Sequence, residues 1–137
     1  MSRTVADLPM PWRDAFSGRA GAGFPKNLHL GVGLYTNGHP WHAHEVWEEL
    51  WRDASGKDRP FLQGLIQLAG ARYHAMNANP HGVMALLGRS QKNLGQVSGD
   101  HLGLDLGPVR AFLKDVLSDR NNPPQPEHFP PLALAGS

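Results

Sequence analysis

The sequence predicts an all-α protein, a compact multihelical array of about five helices, and three observations predict it. Apolar residues recur at helical spacing through the middle of the chain, proline-bearing turns punctuate that run, and no stretch alternates apolar and polar residues as a half-buried strand would. The 137 residues are the usual size of one compact domain, and 40% hydrophobic against 18% charged residues supplies enough apolar material for one core. Composition divides the chain into an irregular lead over 1–25, a helical domain over 26–120 and an extended Pro-rich tail over 121–137.

The lead contains a flexible Ser17-to-Gly23 loop, with Trp12 and Phe16 expected to dock on the body. A first helix follows from Lys26 to Tyr35, in which Gly31 and Gly33 each cost about 0.8 to 1 kcal/mol relative to alanine. Asn37-Gly38-His39-Pro40 ends it and starts the next, because a proline in the first turn lacks only an N–H that would have no intrahelical acceptor. The helix from Pro40 to Asp53 places Ala43, Val46, Trp47, Leu50 and Trp51 on one arc and His42, Glu45 and Glu49 opposite. The next, from Pro60 to Asn77, carries apolar residues around nearly its whole circumference and is therefore the central, buried element. Its exception is a narrow stripe of Gln63, Gln67 and His74. Two packing helices complete the array, from His81 to Val97 and from Gly107 to Asp119, the last stopped by Asn121-Asn122-Pro123-Pro124. In the tail, Phe129, Leu132 and Leu134 are available to cover apolar surface.

Composition also narrows function. Thirteen basic against 12 acidic residues, net charge +1, give no electrostatic reason for a nucleic acid or an anionic membrane as partner. The absence of cysteine removes disulfides, thiolate zinc sites, iron–sulfur clusters and a cysteine nucleophile. Charged residues and prolines interrupt the N-terminus where a secretory leader needs an apolar run, and no segment approaches the ~20 apolar residues of a membrane span, so a cytoplasmic location is expected.

The chemistry-bearing residues are concentrated on two helices. His44 and Glu48 stand four residues apart on the flank of the Trp47/Trp51 face, and if that flank meets the Gln63/Gln67/His74 stripe, imidazoles, carboxylate and amides converge. Three readings stay open. A buried hydrogen-bond network would satisfy every donor and acceptor across the helix pair. A site for a divalent metal or a small molecule, in a binding protein or a hydrolytic enzyme, would use His44, Glu48 and His74 with Gln63 and Gln67 behind them. Metal-free acid–base chemistry would need only a His/Glu pair in a cleft. His44-Glu45-Val46-Trp47-Glu48 begins like a zincin H-E-x-x-H but lacks its second histidine, and the 81–97 helix offers no acid for a carboxylate di-metal bundle. Under a non-catalytic reading, the tryptophans build a homodimer or partner interface. Arg72 is placed to meet Glu45 or Glu49.

The stretches from Trp41 to Arg52, from Phe61 to Ala69 and Tyr73-His74 resemble the domain-of-unknown-function family 309, whose members carry A-H-E-x-x-E-x-x-W and F-x-Q-G-x-I-Q-x-A segments ending near Y-H. The resemblance covers Leu34 to Leu94. It implies a multihelical array and a signature surface of His44, Glu45, Glu48, Trp51, Gln63, Gln67 and His74, and it implies no activity.

Overall fold

The computed structural model describes residues 5–135. Six helices form the array: α1 (Trp12–Ser17), α2 (Lys26–Thr36), α3 (Pro40–Asp53), α4 (Asp58–Met76), α5 (Pro80–Leu94) and α6 (Gly107–Ser118). The helix α4 lies at the centre between α3 and α5, with α2 on the far side of α3 and α6 against α5. Its leucines Leu62, Leu65 and Leu68 are fully buried, as is Phe61, in keeping with a helix apolar around most of its circumference. Among the described residues no helix is long and apolar enough to cross a membrane.

Glycines set how closely the layers approach. A Cβ on Gly31 of α2 would fall 2.1 Å from the Trp47 indole nitrogen, so the missing side chain is the seat on which Trp47 of α3 rests. That indole N–H donates to the Leu28 carbonyl at 3.2 Å, which satisfies the one polar group of a fully buried ring. Gly33 likewise makes room for Trp12, where a Cβ would stand 2.5 Å from the ring. Between α4 and α5, Gly64 admits Leu94, and the Ser90 hydroxyl donates to the Gly64 carbonyl at 2.7 Å. The helix-weakening glycines of α2 are thus compensated by tertiary contact.

The structure differs from the sequence reading at both ends. The lead is not irregular throughout: Trp12 and Phe16, one helical turn apart, anchor the short helix α1, which makes six helices where about five are expected. Phe16 packs edge-on against His42, and Arg19 pairs through both its Nε and terminal nitrogen with Glu49 at 2.9 Å. His42, expected opposite the buried arc, is therefore itself buried, because the lead covers that side of α3. The tail is only partly extended. Pro126–His128 form a 3-10 turn, the Phe129 ring packs at a tilt against Phe112 with centres 4.9 Å apart, and β2 (Ala133–Leu134) pairs antiparallel with β1 (Leu104–Asp105), two short strands that sequence periodicity does not reveal. Phe129 and Leu132 are buried as expected, whereas Leu134 is exposed.

Arg72 does not reach Glu45 or Glu49. Its guanidinium lies over the Tyr35 ring and donates to the Tyr35 carbonyl in the last turn of α2, where a cation complements the helix dipole. The Tyr35 hydroxyl is buried with no partner among the described residues, and burial pushes its pKa above the ordinary 10.0, against a smaller downward pull from Arg72.

Two measurements check this packing. Gly31→Ala should destabilise the protein by about 1 to 3 kcal/mol or more in urea unfolding, because the Trp47 ring has nowhere to retreat. Gly70→Ala, facing only the flexible end of Leu86 at 3.1 Å, should be neutral or stabilising through helix propensity. For Tyr35 the sign follows from a pKa raised on folding. The unfolded chain gives up the phenolic proton above pH 10.0 while the folded chain keeps it, so stability falls as pH climbs past that value. Tyr35→Phe should match the parent at neutral pH and lose less stability in alkaline unfolding curves; an equal loss would remove Tyr35 as the cause.

Candidate functional site

The rotation of α3 is fixed by Trp47 on one side and by the α1 contacts on another, and this decides which side chains remain outside. On the outward stripe stand Trp41, His44, Glu45, Glu48 and Arg52, all partly or fully exposed. His44 Nε2 lies 3.0 Å from Glu48 Oε2, its Nδ1 lies 3.0 Å from the Trp41 carbonyl, and Arg52 approaches the other Glu48 oxygen at 3.6 Å. Glu45 is more distant, at 4.0 Å from His44 Nδ1. The carbonyl can only accept, so it fixes the ring orientation by receiving the Nδ1–H, which leaves Nε2 as the nitrogen that faces Glu48. The histidine at the start of α3, His39, is held below the ordinary imidazole range by burial and then by the neighbouring His42.

The stripe on α4 turns mostly the other way, toward α5. Gln67 accepts a hydrogen bond from Asn93 Nδ2 at 2.8 Å. His74 Nδ1 meets Asn79 Nδ2 at 3.0 Å, while the Asn79 oxygen caps α5 by accepting from the Gly82 N–H at 3.3 Å. Both residues are spent on joining the two helices. Gln63 is the exception: half-buried, without a partner among the described residues, it opens into a shallow hollow of about 340 Å³ bounded by α3, α4 and α5. Trp51 and Arg59 form the opposite wall, the guanidinium lying 4.1 Å from the centre of the indole ring, and Asn93 and Gln96 line the floor.

The predicted cluster is therefore two sets rather than one. The structure brings His44 and Glu48 together and brings Trp51 beside Gln63, while Gln67 and His74 are engaged within the α4–α5 layer. Among the described residues no group of three His, Asp or Glu side chains could hold a metal ion, so the expected set His44, Glu48 and His74 is not assembled as a triad. Arg59, Asn79, Asn93 and Gln96 are not picked out as site residues by the sequence reading. The i, i+4 spacing of Arg59 and Gln63 is a signal that could have found the first, and Asn79 before Pro80 is a helix-cap signal, but Asn93 lies on α5, whose facing side is legible only through packing.

The family resemblance is borne out by comparison. The family model "Domain of unknown function (DUF309)" matches residues 28–86, which run from α2 into α5. An uncharacterized protein of Aquifex aeolicus (strain VF5) is 27% identical over 94 residues, which are 66% of this chain and 28% of that protein. The chain thus spans well under a third of the length of the curated relative it matches, and the similarity carries no activity with it.

The division into two sets has a thermodynamic signature. Asn93→Ala and Asn79→Ala should each cost about 1 to 3 kcal/mol, since each strands a neighbour or uncaps a helix. Glu48→Gln, on the open stripe, should stay within about 0.5 kcal/mol of the parent in the same urea titration. A loss at Glu48 as large as at Asn93 would make the outer set structural too.

Proposed function

We propose that the protein is a non-catalytic binding module whose recognition surface is the outer set, running from the His44–Glu48–Arg52 stripe to the hollow at Trp51 and Gln63. The observation that supports this reading most is the separation itself. The polar groups that join α4 to α5 are matched with one another, Gln67 by Asn93 and His74 by Asn79, whereas Gln63 and Arg59 have no hydrogen-bond or ion-pair partner among the described residues. Polar groups with unused donors beside an aromatic wall are what a binding surface offers. An acid–base role has less support, because no nucleophile or oxyanion-binding group accompanies His44 and Glu48.

Two finer readings belong to the same surface. A divalent cation could draw on His44 and Glu48 alone, with the remaining positions filled by a ligand or water, and a second copy of the chain could dock its α3 stripe against this one.

Elemental analysis by mass spectrometry on untagged protein separates the first. Metal well below stoichiometric, unchanged in His44→Ala, is the expected result; near-stoichiometric metal lost in that variant would replace the module with a metal centre. Light scattering over a range of concentrations decides the second, since a concentration-independent monomer removes the homodimer and leaves the surface to a different partner.

A further inference from the structure

We infer that the hollow between α3, α4 and α5 is a binding site for a small organic carboxylate, whose charged group is held by the Arg59 guanidinium and the Gln63 amide against the Trp51 ring. The inference rests on the reading of the outer set as a recognition surface and names the ligand class for one part of it.

Among the described residues Arg59 is the only charged side chain lining the hollow, and it makes no ion pair or hydrogen bond with any of them. Its guanidinium lies over the Trp51 face, 4.1 Å from the ring centre. Stacking uses the flat side of a guanidinium and leaves the N–H groups on its edge free, already arranged as a fork. A carboxylate is the group that matches this fork with two parallel hydrogen bonds. Gln63 lies one helical turn further along α4, at the i, i+4 position, so its amide faces the same space and can donate to a carboxylate oxygen. Of the acids near this end of the molecule, Glu48 is taken by His44 and Arg52 and Asp58 by His101 at 2.8 Å, and the exposed Asp53 at the end of α3 makes no ion pair with Arg59. No carboxylate of the described chain therefore fills the fork.

The remaining surface suits the body of such a ligand. Trp51 offers an aromatic wall, Pro60 an apolar edge, and Asn93 and Gln96 an amide floor. The volume, about 340 Å³, is at the small end for ligand sites, and its openness to solvent admits a flat molecule lying along the wall. A multiply charged phosphate is a poorer match, since a single cation and neutral amides would leave most of its charge unanswered.

The test is a titration of the intact protein with benzoate, followed in nitrogen–proton correlation spectra that resolve the Gln63 side-chain amide and the Trp51 indole N–H. Benzamide, which has the same ring without the charge, inorganic phosphate, and a short peptide with a free or amidated C-terminus are run in parallel. Saturable shifts of both resonances with benzoate, little response to benzamide, and roughly tenfold weaker binding in Arg59→Gln support the site. An Arg89→Gln control, on the exposed side of α5, should bind as the parent does. A response to the free-ended peptide that disappears on amidation would identify the carboxylate source as a chain terminus, and a response to benzoate alone a free acid. Shifts unaffected by Arg59→Gln, an equal or larger effect of phosphate, or no shift at Gln63 and Trp51 would each overturn the inference. Ligand-induced shifts confined to His44 and Glu48 would overturn it as well while leaving the broader recognition surface standing.

Discussion

The seating of the Trp47 indole on Gly31 is the contact on which the arrangement of the outer residues depends. A helix can rotate about its axis without changing its hydrophobic content, and α3 is fixed in rotation because one large ring must lie where α2 has no side chain and must give its N–H to Leu28. Removing that ring would cost about 3 to 5 kcal/mol by comparison with other buried aromatic truncations. Once Trp47 points inward, the 100° step of the helix puts His44, Glu48 and Arg52 outward and Trp51 at the edge beside α4. The surface chemistry is thus a consequence of a core contact.

Polar groups near the centre of the molecule follow a consistent division. Where they lie between packed helices they are matched in pairs: Asn93 with Gln67, Ser90 with the Gly64 carbonyl, Arg72 with the Tyr35 carbonyl. Such matching is required, because an unpaired buried donor costs more than a made hydrogen bond returns. Where they border solvent the requirement lapses, and Arg59 and Gln63 stand open. The departures from this rule among the described residues are the buried Tyr35 hydroxyl, the Nε of Arg72 above it and the Asn27 side-chain oxygen, none of which has a hydrogen-bond partner.

Much of the fold is legible in the sequence. The starts of α3 and α5 are marked by Pro40 and Pro80, the centrality of α4 by its apolar circumference, and the end of α6 by Asn121 to Pro124, all of which are local signals. What is not legible is tertiary. The helix α1 is too short to show periodicity and exists because Trp12 and Phe16 find seats at Gly33 and His42. The paired strands at Leu104 and Ala133 are only two residues each. The site is half legible for the same reason: spacing correctly puts His44 above Glu48 and aligns Gln63, Gln67 and His74, but it cannot say which neighbour a stripe faces. The stripe meets α5 for most of its length, so the expected convergence on α3 occurs only at Trp51 and Gln63.

The division into an inward and an outward set can be read in a single experiment, the hydrogen exchange of side-chain amides by nuclear magnetic resonance. Asn93, whose NH2 group donates to Gln67 in the part-buried α4–α5 layer, should exchange slowly, and Gln63 should exchange at the rate of a solvated amide. Protection of Gln63 equal to that of Asn93 would contradict the account, because it would show the hollow closed by the protein itself and leave no outer set to serve recognition.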